Sequence, residues 1–180
     1  ILSSQVRFML DRLSENILEM FVGRPHIRSS IKNTEILVVN DLPTYGIAVQ
    51  TGDDAYFPKI LLHAGLVKDL TGPQLAFLIG HEFGHILTSD LNYSLNKNFV
   101  EQEYELELLN QAEDRSDIVG VYAAHLLSPN TKEFELAQFF EKAKSFEVMI
   151  EVAAERTGIK IKHDKGFDVH TTLDVRKELL

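Results

Sequence analysis

The chain has 180 residues, 44% apolar and 25% charged, which suits one compact domain with a substantial core and requires no second domain. A net charge of −9 and a pI near 5.2 exclude nucleic acid and an anionic membrane surface as natural partners, because that field attracts neither. No apolar run approaches the roughly eighteen residues of a membrane span, and the lack of Cys excludes disulfides and thiol catalysis.

From the N-terminus, Val6, Met9, Leu10, Leu13, Ile17, Met20 and Phe21 recur at helical spacing and predict an amphipathic helix over 1–23, stopped by Gly23 and Pro25. It is expected to pack across the core, since Asp11, Glu15 and Glu19 on its polar side disfavour a membrane surface. Two β-rich stretches, 34–39 and 45–50, and a third, 55–62, form a small sheet over 34–62. Pro58 inside the third stretch suggests an edge strand. The remainder, 71–180, reads as helical. Thr71-Gly72-Pro73-Gln74 has the form of a capping box with proline in the first turn, ahead of Leu75, Leu78 and Ile79, so a helix spans 71–88. A second covers about 98–127. Pro129 and Asn130 mark a turn before a third over 132–156, whose stripe of Phe134, Phe139, Phe140, Phe146, Met149 and Ile150 reads as core. The chain starts at Ile1 without a signal-peptide pattern, as expected of a segment whose targeting or anchoring parts lie outside it. Compartment, cytoplasmic, periplasmic or membrane-associated, and oligomeric state are not legible.

The first of those three helices carries His81-Glu82-Phe83-Gly84-His85. Residues four apart lie one above the other on a helix, so the two imidazoles converge on one tetrahedral Zn²⁺. Glu82 is then placed beside the metal-bound water rather than on the metal. Composition alone produces HExxH roughly 2% of the time in such a chain, so the surroundings decide. Gly80 and Gly84 each weaken the helix by roughly 1 kcal/mol relative to Ala, which makes sense where a backbone or a substrate comes close.

A third ligand is needed. A metzincin would have Gly at 88 and His at 91, where this chain has Thr88 and Leu91. A gluzincin takes a Glu from a later helix. Glu101, Glu103, Glu105 and Glu107 read as a solvated face, whereas Glu113 is followed at helical spacing by Asp117, Gly120 and Ala124, small residues suited to a surface pressed on the HExxH helix. Glu113 is therefore the expected ligand, with Glu107 next. An exposed acidic pair at i, i+4 is the alternative, disfavoured by repulsion unless a cation is near. Asp117 is then expected to accept the free N–H of one liganding His; which one is open.

His81-Glu82-Phe83-Gly84-His85, then Glu113-Asp114-Arg115-Ser116-Asp117, then His170-Thr171-Thr172-Leu173-Asp174-Val175-Arg176, resembles the CAAX-prenyl-protease and HtpX-like gluzincin family in order and spacing, over about 34–180. The resemblance implies a mainly helical α+β zincin-like metalloprotease domain, 1–180, with a small N-terminal sheet whose edge strand borders the active-site cleft. There the edge would pair with extended substrate by strand addition. It implies zinc-dependent endopeptidase activity on peptide or protein substrates, one Zn²⁺ per chain held by His81, His85 and Glu113, Glu82 as general base, and His170 near the scissile carbonyl; Arg176 would anchor the last segment through a carboxylate. Thr171 replaces the family's Pro, and Ser116 stands where Ala is commoner; neither is expected to touch a ligand. Many relatives are membrane proteins, though this chain has no span. The rival is a latent or non-catalytic zinc-binding domain serving as an interaction or chaperone-like module, which Glu82 argues against because a closed structural site needs no base. His26, His125 and His163 read as structural or surface residues, and His63 is a weak candidate for lining the cleft.

Overall fold

Along residues 58–63 buried and half-buried side chains alternate strictly, the period of a strand with one covered face, and Ile60 and Leu62 are fully enclosed. The computed structural model of the chain describes residues 8, 11–12, 15–16, 32–40, 46–50, 58–88 and 102–157, with backbone alone over 46–50 and 102–110 and at 147, 151, 154, 155 and 157. Its strands are β1 (Glu35–Val39), β2 (Gly46–Gln50) and β3 (Pro58–His63), followed by helices α1 (Ala64–Asp69), α2 (Gly72–Thr88), α3 (Gln102–Leu127) and α4 (Glu133–Thr157). This is an α+β chain dominated by helix. At the N-terminus, Phe8, Asp11, Arg12, Glu15 and Asn16 are helical; the apolar stripe expected there lies outside the described residues.

The sheet has the order β1-β3-β2, with β1 parallel and β2 antiparallel to β3. The strand expected at the edge is thus the central one. Pro58 is its first residue, opposite Gln50 at the end of the ladder, where a missing N–H breaks no interior pairing. The edges are β1 and β2, and α2 packs against β2 and β3. Glu35 and Lys59, register partners, form an ion pair of 3.3 Å on the exposed side.

The second layer is built around α2. Every residue from Gln74 to Gly84 is buried, the signature of a helix enclosed on all sides. The capping box is present in its reciprocal half: Gln74 Oε1 accepts from the Thr71 N–H at 3.1 Å. The same side chain ties α2 to α4, donating through Nε2 to the Glu135 carbonyl at 2.8 Å. Lys142 Nζ donates to Gln74 Oε1 at 2.8 Å and to the Asp69 carbonyl at 2.6 Å. Among the described residues no helix is long and apolar enough to cross a membrane.

The turn between α3 and α4 falls at Pro129 and Asn130, as expected. Thr131 donates through Oγ1 to the Ser128 carbonyl at 2.7 Å, and Glu135 Oε2 accepts from the Lys132 N–H at 2.9 Å. Of the stripe on α4, Phe139, Phe140 and Phe146 are core and Ile150 is half-buried, but Phe134 and Met149 are 57% and 59% exposed. The reason is rotational: Leu136, Phe139, Phe140, Ala143 and Phe146 make the inward face, and Phe134 and Met149 fall on the other side of the helix. Phe77 of α2 meets Phe139 and Phe140 with ring centroids 5.0 and 5.5 Å away.

Helices α2 and α3 approach each other through glycine. A methyl group at Gly80 would stand 2.5 Å from the Ala123 Cβ and 2.9 Å from the Val119 carbonyl oxygen; one at Gly84 would stand 2.5 Å from the Ser116 Cα. On the facing helix, a Cβ at Gly120 would lie 2.9 Å from Phe77. Gly80→Ala is therefore expected to destabilise the protein by about 1–3 kcal/mol, the range for an overpacked core, although alanine is the better helix former by roughly 1 kcal/mol. Urea unfolding measures this, and a midpoint at or above that of the parent would contradict the close approach.

Candidate metal centre

Seven polar or charged residues among those described are buried, and four of them, His81, Glu113, Ser116 and Asp117, meet across the seam between α2 and α3. Burying that many polar groups is unfavourable unless each is satisfied. On α2, His81 and His85 share a face one turn apart. On α3, Glu113, Ser116 and Asp117 share a face at spacings of three and four. The glycines bring the two faces together.

His81 Nε2 and His85 Nε2 are 3.1 Å apart. The Glu113 carboxylate straddles the rings, with Oε2 3.4 Å from His81 Nε2 and Oε1 3.4 Å from His85 Nε2. Two donors bound at the usual 2.0–2.1 Å to one tetrahedral Zn²⁺ stand about 3.3–3.4 Å apart, so the spacings of this set suit one ion. Among the described residues, this is the group of three whose ligand atoms all lie within 4.8 Å of one another. Glu82 is 2% exposed and is not in that group.

The outer ring nitrogens are held as well. His81 Nδ1 donates to Asp117 Oδ1 at 2.9 Å. A carboxylate only accepts, so Nδ1 carries a proton and Nε2 is the ring nitrogen that faces inward. The partner left open by the sequence is thus His81. Phe77 stacks beside His81 at 6.3 Å, joining the aromatic core to the site. His85 Nδ1 is 3.2 Å from Ser116 Oγ. This corrects the expectation that Ser116 touches no candidate ligand: it lies one helical turn after Glu113, on the inward face, and Gly84 lets it come close. That 3–4 spacing, read together with Gly84, was the signal available in the sequence.

The other described histidines are structural. His63 caps α1, its Nδ1 accepting from the Gly65 N–H at 2.9 Å while its ring meets Phe146 edge-on at 4.5 Å. His125 Nδ1 donates to the Val121 carbonyl at 3.0 Å. His26, His163, His170 and Arg176 lie outside the described residues, as does Glu101; the side chains of Glu103, Glu105 and Glu107 are likewise not described.

A model of peptidase family M48 matches residues 39–180, which include both halves of the seam. The chain belongs to peptidase family M48. Membership makes it a metallopeptidase, with the His-His-Glu cluster as its potential metal site, and the donor set fits a metal of that kind: two imidazoles and a carboxylate. No curated protein and no solved structure is matched by the chain.

If the cluster binds the metal, each of His81→Ala, His85→Ala and Glu113→Ala loses both bound zinc and the zinc-dependent rise in melting temperature. Elemental analysis with thermal unfolding in the presence and absence of zinc checks this; full occupancy in Glu113→Ala would move the third ligand elsewhere on α3.

Proposed function

We propose that this M48 peptidase is a zinc-dependent endopeptidase in which His81, His85 and Glu113 hold one Zn²⁺ and Glu82 is the general base. The observation that carries the reading is the convergence of two histidines and a glutamate at 3.1–3.4 Å on buried, facing helices. Bound zinc would supply a Lewis acid for the peptide carbonyl and lower the pKa of the attacking water. Glu82 leaves the ligand set free and remains buried on the same helix, which suits a base that takes the proton of the attacking water and passes it to the leaving amine. Asp117 keeps His81 in the tautomer with its Nε2 lone pair toward the cluster. Three protein ligands leave a fourth position for chemistry, as catalytic sites do and structural sites do not.

His85 is the most exposed of the three, its side chain at 14% against 1% for His81 and 9% for Glu113, so the substrate approaches from its side. For an extended peptide we assign the outer edge of β2 rather than β3, since β2 packs beside α2 and pairs with β3 on one side only among the described residues. Main-chain pairing of that kind reads little sequence. His170 is assigned as a hydrogen-bond donor to the oxyanion and Arg176 as the anchor of its segment, both on the family's pattern alone.

Two variants separate the roles. Glu82→Gln is expected to keep its zinc and lose peptide or casein hydrolysis by a factor of about 10² to 10⁴; undiminished turnover would refute the base assignment. A parent protein that holds zinc yet cleaves nothing would instead be the latent zinc domain. His170→Ala is expected to lower kcat and kcat/KM by similar factors at constant zinc content, a loss of about 2–4 kcal/mol, because an oxyanion contact exists only in the transition state. A change confined to KM would remove His170 from the catalytic set.

A further inference from the structure

We propose that Ser116 is a positioning residue for His85, fixing the ring and tautomer in which Nε2 faces the metal position and thereby raising metal affinity. The inference rests on His81, His85 and Glu113 being the ligand set. Ser116 is fully buried in the middle of α3, with Oγ 3.2 Å from His85 Nδ1. The opposite nitrogen of the same ring is 3.1 Å from His81 Nε2 and 3.4 Å from Glu113 Oε1. If Nε2 offers its lone pair to a metal, Nδ1 carries the proton. A buried N–H needs an acceptor, and the Ser116 hydroxyl oxygen is in place to be one.

The two histidines are therefore held by different chemistry from adjacent positions on one helix. His81 leans on a carboxylate, Asp117, at 2.9 Å, and His85 on a neutral hydroxyl. The hydroxyl orients the ring without bringing a further negative charge into a seam that already contains Glu113 and Asp117. Gly84 makes the contact possible, because any Cβ there would stand 2.8 Å from Ser116 Oγ and 2.5 Å from its Cα. Packing alone does not require serine. Alanine is smaller, is a better helix former and buries no polar atom, so the hydroxyl is an expense that the bond to His85 offsets.

Ser116→Ala tests this, with zinc affinity measured by chelator competition and the unfolding midpoint of the metal-free protein measured alongside. The expected result is a 10- to 100-fold weaker zinc affinity, the usual effect of removing such a partner, with the metal-free midpoint unchanged or raised. In the zinc-loaded parent, the His85 Nδ1 proton should also be visible by ¹⁵N-detected NMR and protected from exchange, and that protection should be lost in the variant. If the parent binds zinc and Ser116→Ala binds it within twofold as tightly, Ser116 is only a small packing residue and the proposal is overturned. If the parent itself binds no zinc, the ligand assignment has failed and the inference goes with it.

Discussion

The backbone-to-backbone approach of α2 and α3 is the constraint on which the site depends. Two imidazoles on one helix and a carboxylate on another reach spacings of 3.1–3.4 Å because nothing larger than hydrogen stands at Gly80, Gly84 and Gly120. Each glycine weakens its own helix by about 1 kcal/mol, and the offset is a seam tight enough to hold donors at coordination distance. Adding a side chain there would force the helices apart, and the ligand set would open with them.

A second requirement is that α2 itself stay put. Its start is clamped through Gln74, which caps the helix and bonds to α4, and by Lys142, which reaches both Gln74 and the end of α1. One turn before His81, Phe77 is wedged between Gly120 and the rings of Phe139 and Phe140. Aromatic packing below the cluster and hydrogen-bond partners around it hold its geometry.

Partners, rather than residue type, sort the histidines. His63 accepts at Nδ1 from a backbone N–H and ends a strand; His125 donates at Nδ1 to a helix carbonyl; His81 donates at Nδ1 to a carboxylate and presents its other nitrogen to the cluster. Among the described histidines, the last kind of partnership, together with a second imidazole and Glu113, makes a potential metal position. The acidic composition of the chain adds nothing to this, because the relevant charges are the few buried in the seam.

The sequence by itself determined the elements and the identities at the centre. Helical periodicity, the Thr71 to Gln74 box and the Pro129-Asn130 turn located α2, α3 and α4 to within a few residues, because these signals are local. HExxH and the Glu113, Asp117, Gly120 spacing named the residues that converge, because four-residue spacing on a helix is a geometric statement. Tertiary structure decided three things. The central place of β3 depends on which strands flank it, and a proline at a strand's first residue permits either an edge or a centre. The exposure of Phe134 and Met149 depends on which side of α4 meets the core, which six apolar residues spread over 134–150 leave undetermined. The pairing of Asp117 with His81 and of Ser116 with His85 depends on the stagger of two helices, a matter of one residue's rise, about 1.5 Å, set by where the glycines let the backbones touch.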